Sequence, residues 1–125
     1  MERGAMAKIL LATGDSALQT ILEAELGGEG HEVTWVTDGK EACDTALAFV
    51  PDLVFLDLSL PIFNGLETCV MMREDPELPP RMPIVLITDE EVNVRLLEKY
   101  RVTELFPKTH AAHELCDLAV KLLTG

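Results

Sequence analysis

The run Pro51–Glu67, PDLVFLDLSLPIFNGLE, decides how this chain is read. From Leu53 the chain is almost wholly apolar until it reaches Asp57. Apolar residues at both odd and even positions leave no face for water, which marks a strand covered on both sides. Asp57 ends that strand. A carboxylate there is costly unless it emerges into a crevice and meets a cation or hydrogen-bond donors. An Asp after a strand can also cap the following helix. Here the next helix opens at Asn64-Gly65, seven residues on, which weakens the capping reading.

Outward from this stretch the chain alternates regularly between strand and helix patterns. Ile9 to Ala12 is a short aliphatic strand, and Ala17, Leu18, Ile21, Leu22 and Leu26 recur at helical spacing until Gly27, Gly28 and Gly30 stop them. HEVTWV, residues 31–36, alternates with period two, as a strand near a sheet edge does. Asp38 caps a second helix with Ala42, Ala46 and Phe49 on its apolar face, ending before Pro51. A third helix runs through Leu66, Val70 and Met71 and stops at the proline-rich EDPELPPRMP. IVLIT, residues 84–88, is a second buried strand, followed by a helix over Val92 to Tyr100, the strand TELF and a last helix from Ala111 to Leu123 with Leu115, Ala119 and Leu122 inside.

Five strands alternating with five helices predict right-handed βαβ crossovers and an α/β fold, a doubly wound five-stranded parallel sheet covered on both faces. Chemistry in such sheets sits beyond the carboxyl ends of the strands. That rule selects Thr13, Gly14 and Asp15 after the first strand, Asp57 and Ser59 after the third, Thr88 and Asp89 after the fourth, and Lys108 after the fifth. Each has an ordinary structural explanation when taken alone. Asp57, Thr88 and Lys108 together are better evidence than any one of them.

Composition narrows the partners. The chain has 125 residues, one domain's worth, with 48% hydrophobic but 5% aromatic residues, so the core is aliphatic. A formal charge of −12 argues against direct binding of nucleic acid or an anionic membrane and favours basic partners or divalent cations. No apolar run approaches the roughly 20 residues that span a bilayer, and the N-terminus lacks a secretory leader's apolar segment. Cys43, Cys69 and Cys116 are odd in number and widely spaced, which reads as three reduced thiols of a cytoplasmic protein. Residues 1–7 read as a lead and 8–124 as the domain.

TDGKEA, PDLVFLDLSLPIFNGLE, PIVLIT and LFPK, in this order, resemble the receiver domain of two-component response regulators, the CheY-like, flavodoxin-like (βα)5 fold. The most specific part is Asp57 with Pro61 and Gly65 four and eight residues beyond it. The resemblance implies that Asp57 accepts phosphate from a histidine kinase or phosphotransfer protein. Lys108 and Thr88 would then assist, and Mg²⁺ would be coordinated by Asp57 and the Ser59 carbonyl. It also implies that the fourth helix, fifth strand and last helix form a face for a homodimer or an output domain.

Several positions depart from that pattern. Where receivers carry two adjacent acids that position Mg²⁺, this chain has Thr13 and Gly14, which offer one neutral hydroxyl and no side chain. Asp15 would serve as a metal ligand if the loop bulges by one residue, and otherwise N-caps the first helix. Asp89 stands where the family has a small residue, Thr109 replaces a proline, and Leu105 occupies the place of the aromatic switch residue, with Phe106 beside it facing the other way. Mg²⁺ binding is therefore expected to be weak or absent. The alternative to a working phosphoacceptor is a phosphorylation-independent pseudo-receiver acting as a protein-interaction module. A flavodoxin-type phosphate loop at ATGDS lacks the hydroxyls and aromatics that a flavin needs. A dehalogenase lacks its second acid in DLS. His110, His113 and Cys116 read as ordinary residues of the last helix rather than metal ligands.

Overall fold

The computed structural model describes residues 6–89, 95–108 and 110–124. The elements follow in the order β1 (Lys8–Ala12), α1 (Ser16–Gly28), β2 (Glu32–Val36), α2 (Gly39–Phe49), β3 (Leu53–Asp57), α3 (Gly65–Glu74), β4 (Ile84–Thr88), α4 (Arg95–Lys99), β5 (Glu104–Pro107) and α5 (Ala112–Thr124). The five strands form one parallel sheet in the order β2-β1-β3-β4-β5, the fold class expected from the strand and helix alternation. β3 lies at the centre with every residue buried, as its unbroken apolar run requires. β2 is an edge strand, as its period-two pattern implied.

Alternating side chains of the central strands feed two hydrophobic layers. Leu10, Val54, Leu56 and Leu86 face α2 and α3, where Ala46, Cys69 and Met72 meet them. Ile9, Leu11, Phe55 and Ile87 face α1 and α5, where Leu22, Leu26, Leu115 and Ala119 meet them. Leu105 and Phe106 divide between these layers, so the phenyl ring does lie on the opposite side from Leu105. The chain leaves β1 in one direction and returns across it to β3. The carboxyl ends of β1 and β3 therefore flank the crevice where the strand order reverses.

The buried faces of three helices do not coincide with their apolar residues. In α1, Leu22 and Leu26 are buried but Ala17 and Ile21 are exposed. In α3 the buried residues are Gly65, Thr68, Cys69 and Met72, while Met71 is 41% exposed. Gly65 fixes that rotation: a Cβ there would come within 2.7 Å of the Asp57 carbonyl oxygen and the Leu86 methyl, so the helix start presses directly on β3 and β4. Thr68 can be buried because its hydroxyl donates to the Asn64 and Phe63 carbonyls. In α5 Cys116 joins Leu115 and Ala119 in the interior. The expected start of the fourth helix, residues 92–94, lies outside the described residues. Ala7, before β1, is buried and its N–H donates to His31 Nδ1 at 3.2 Å.

Candidate functional site

β3 delivers Asp57 to the crevice. The residue is 3% exposed, so its carboxylate must find donors inside the protein, and it finds four. Oδ1 accepts from the Ser59 N–H at 3.1 Å and from the Ser59 hydroxyl at 2.9 Å. Oδ2 accepts from the Thr13 hydroxyl at 2.9 Å and lies 3.0 Å from Lys108 Nζ. Burial pushes the carboxyl pKa up, but the Ser59 N–H, the Lys108 ammonium and the Ser59 and Thr13 hydroxyls outweigh it, and the group sits below its ordinary range. The result is an ionised carboxylate balanced by one ammonium at the carboxyl end of β3.

Lys108 reaches this position because β5 ends one residue earlier, and its own N–H donates to the Thr88 carbonyl at 2.8 Å. Its side chain is 29% exposed, so the charge points inward while the stem touches solvent. Thr88 ends β4 with 4% exposure, one residue beyond the Ile87 that pairs with Asp57. Asp89, the acid where a small residue was expected, is exposed. Thr109 lies outside the described residues.

The Thr13–Asp15 loop is organised more tightly than its composition suggests. Thr13 is fully buried, its N–H donating to the Val36 carbonyl at 3.1 Å. Gly14 is exposed, with open space where a Cβ would stand. Asp15 is the N-cap of α1: its Oδ1 accepts from the Ala17 and Leu18 N–H groups at 3.0 and 3.2 Å. Its backbone N–H donates to the Thr13 hydroxyl at 3.0 Å. Among the described residues no group of three or more His, Cys, Asp or Glu side chains is placed to hold a metal ion. Cys116 is buried while His110 is exposed, 3.6 Å from Glu114 and edge-on to the Phe106 ring.

Two roles escaped the sequence. Thr13 figured as a strand-end residue and a weak neutral substitute for an acid, yet its hydroxyl is a direct donor to Asp57. Trp35 did not figure at all. Its Nε1 donates to the Thr13 carbonyl at 2.8 Å, bridging from the edge strand to the end of β1. The one available clue was a lone tryptophan near the end of an edge strand, since a Trp N–H usually finds an acceptor where its ring is covered.

Known proteins share this sequence pattern and fold. The model of the response regulator receiver domain family matches residues 9–119. The response regulator ArlR of Staphylococcus aureus is 39% identical over 83 residues, which cover 66% of this chain and 36% of that protein. Among solved structures, the chemotaxis response regulator CheY4 of Vibrio cholerae has a TM-score of 0.86 at 22% identity, covering 95% of this chain and 100% of that one. The receiver domain of a sensor histidine kinase from Pseudomonas aeruginosa, solved with a magnesium ion coordinated in its active-site cleft, has a TM-score of 0.82 at 25% identity, covering 97% and 100%. With the family model spanning nearly the whole domain and the carboxylate seated at the end of its central strand, the chain belongs to the response regulator receiver domains of two-component signal transduction.

Proposed function

We propose that Asp57 is the phosphoacceptor of this receiver domain and that it works with weakly held Mg²⁺. The observation that carries the reading is the 3.0 Å pairing of a buried Asp57 with Lys108 at the mouth of the switch-point crevice. In the transfer, an Asp57 oxygen would bond to phosphorus as the P–N bond of a phosphohistidine breaks. The imidazole nitrogen would leave with the electron pair and take a proton from water. The phosphoryl oxygens need compensating charge and donors, for which Lys108 and Thr88 stand at the adjacent strand ends.

Receiver domains generally bind Mg²⁺ in this cleft, but the donor set here does not fit a tightly held cation. Mg²⁺ asks for six oxygens in near-octahedral array, with carboxylates among them. This pocket offers one carboxylate, and both its oxygens already accept protein donors. Gly14 has no side-chain ligand to give, and Asp15 spends an oxygen on its helix. The Ser59 carbonyl and the second oxygen of Asp15 would be the remaining contributors. The same saturation of Asp57 favours the second reading, a pseudo-receiver that binds partners without phosphate.

Receiver domains of response regulators interact with histidine kinases and with output domains. For this chain we assign the face of α4, β5 and α5 to a homodimer or an output domain, on the family's pattern. Three free cysteines suit a cytoplasmic setting. Among the described residues no helix is long and apolar enough to cross a membrane. The test is incubation with acetyl phosphate or beryllofluoride over a range of Mg²⁺ concentrations, followed by mass spectrometry, with Asp57→Ala as control. Slow modification of Asp57 that saturates only at high Mg²⁺ is expected. No modification at any Mg²⁺ concentration would leave the pseudo-receiver reading standing in its place.

A further inference from the structure

Thr13 has no exposed surface, yet every polar atom it owns is engaged. Its N–H goes to Val36, its carbonyl takes the Trp35 indole, and its hydroxyl accepts from the Asp15 N–H while donating to Asp57 Oδ2. A hydroxyl carries a single proton. With the Asp15 N–H aimed at the oxygen, that proton is directed at Asp57. The polarity of the Thr13–Asp57 bond is thus set by the backbone of the same loop. The loop in turn is tied to the edge strand by an indole that is 36% exposed at the protein surface.

We propose that Thr13 is a positioning residue for Asp57, held in place by Trp35, and that this chain of hydrogen bonds couples the state of Asp57 to the Trp35 indole on the β2 edge. The hydroxyl and Lys108 together satisfy Asp57 Oδ2, so the carboxylate keeps its orientation through protein donors alone. The coupling follows because any change that withdraws the Oδ2 acceptor releases the hydroxyl, and the hydroxyl shares its residue with the carbonyl that the indole holds. The proposal deepens the reading of Asp57 as the reactive group and rests on it for its biological meaning.

The chain has one tryptophan, so its single indole ¹H–¹⁵N resonance reports this link directly. Asp57→Ala is expected to shift that resonance in the parent and in a Thr13→Ser background, which keeps the hydroxyl. The shift is expected to be lost in Thr13→Val, which removes the hydroxyl at nearly constant volume. A full shift surviving in Thr13→Val, or none in the parent, overturns the proposal. Should Thr13→Val not fold, the Asp15 amide decides, because its N–H rests on the same hydroxyl. It is expected to move with Asp57→Ala in the parent and in Thr13→Ser, while the amide of Asp38, the cap of α2, stays in place. An unmoved Asp15 amide overturns the proposal. No phosphodonor enters these measurements, so the coupling can fail while acetyl phosphate still modifies Asp57, and the reverse outcome is equally visible.

Discussion

At Gly14 one side chain separates this pocket from one with a second acid. A Cβ there meets nothing within 4 Å, so Gly14→Asp is sterically free. A second carboxylate on the rim beside Asp57 should raise Mg²⁺ affinity by about tenfold or more, since a hard cation gains a charged oxygen ligand. Isothermal titration of parent and variant checks this; equal affinity would place the residue 14 side chain away from the cation's position. At this scale the sequence was informative about charged groups and poor about neutral ones. Asp57 and Lys108 were legible because charge at the end of an apolar strand needs a partner. The Thr13 hydroxyl and the Trp35 N–H were not, because threonine and tryptophan fit ordinary strand positions without any further purpose. Asp15 was legible as a cap or a ligand, and the backbone of α1 takes one of its oxygens.

The loop from β3 to α3 and the helix behind it show how an element can be set by close approach. Gly65 lies against the Asp57 carbonyl and the Leu86 side chain, so Gly65→Ala forces backbone against backbone and should cost about 1–3 kcal/mol. Ile62, in the same loop, presents the opposite case. It is a β-branched residue at φ 70° with 66% of its surface exposed. The left-handed region costs an L-residue roughly 1–2 kcal/mol, and glycine's added chain entropy returns about 0.5–1. Ile62→Gly is therefore expected to gain up to about 1.5 kcal/mol. Urea denaturation of both variants separates the two effects; a stabilised Gly65→Ala or a destabilised Ile62→Gly would contradict the account. Helix faces were the least legible elements. The apolar residues of α3 outline its buried side only in part, because Thr68 and Gly65 occupy positions that periodicity would give to larger hydrophobics.

For the whole molecule, burial of the thiols links stability to alkaline pH. Desolvation pushes Cys69 up to about 11, and desolvation together with the Glu25 carboxylate pushes Cys116 up to about 12. In the unfolded chain thiols titrate near 8.5. Between these values the unfolded state releases protons that the folded state retains. The stability is therefore complete below about pH 8.5 and declines as the pH rises towards the folded values. At roughly 1.4 kcal/mol per pKa unit, Cys69 alone accounts for about 3 kcal/mol across that window. Urea midpoints at pH 7, 9 and 10.5 should fall more steeply for the parent than for Cys69→Ala; parallel slopes would count against a buried thiol. Asp57 acts with the opposite sign: its lowered pKa stabilises the fold above the ordinary carboxylate range, and that contribution fades as pH falls through about 4.

The sequence by itself determined the five-stranded parallel sheet, the edge position of β2 and the two-sided burial of β3. Burial on one face or two is written into hydrophobic period, and the crevice follows from strand order. Tertiary structure alone decided that Thr13 turns its hydroxyl onto Asp57, that an indole from the edge strand holds it there, and that α3 buries Thr68 beside Cys69 and Met72. Those are hydrogen bonds and close contacts between residues far apart in the chain. Their partners are chosen by where the backbone comes together, and no local pattern of residue types records that choice.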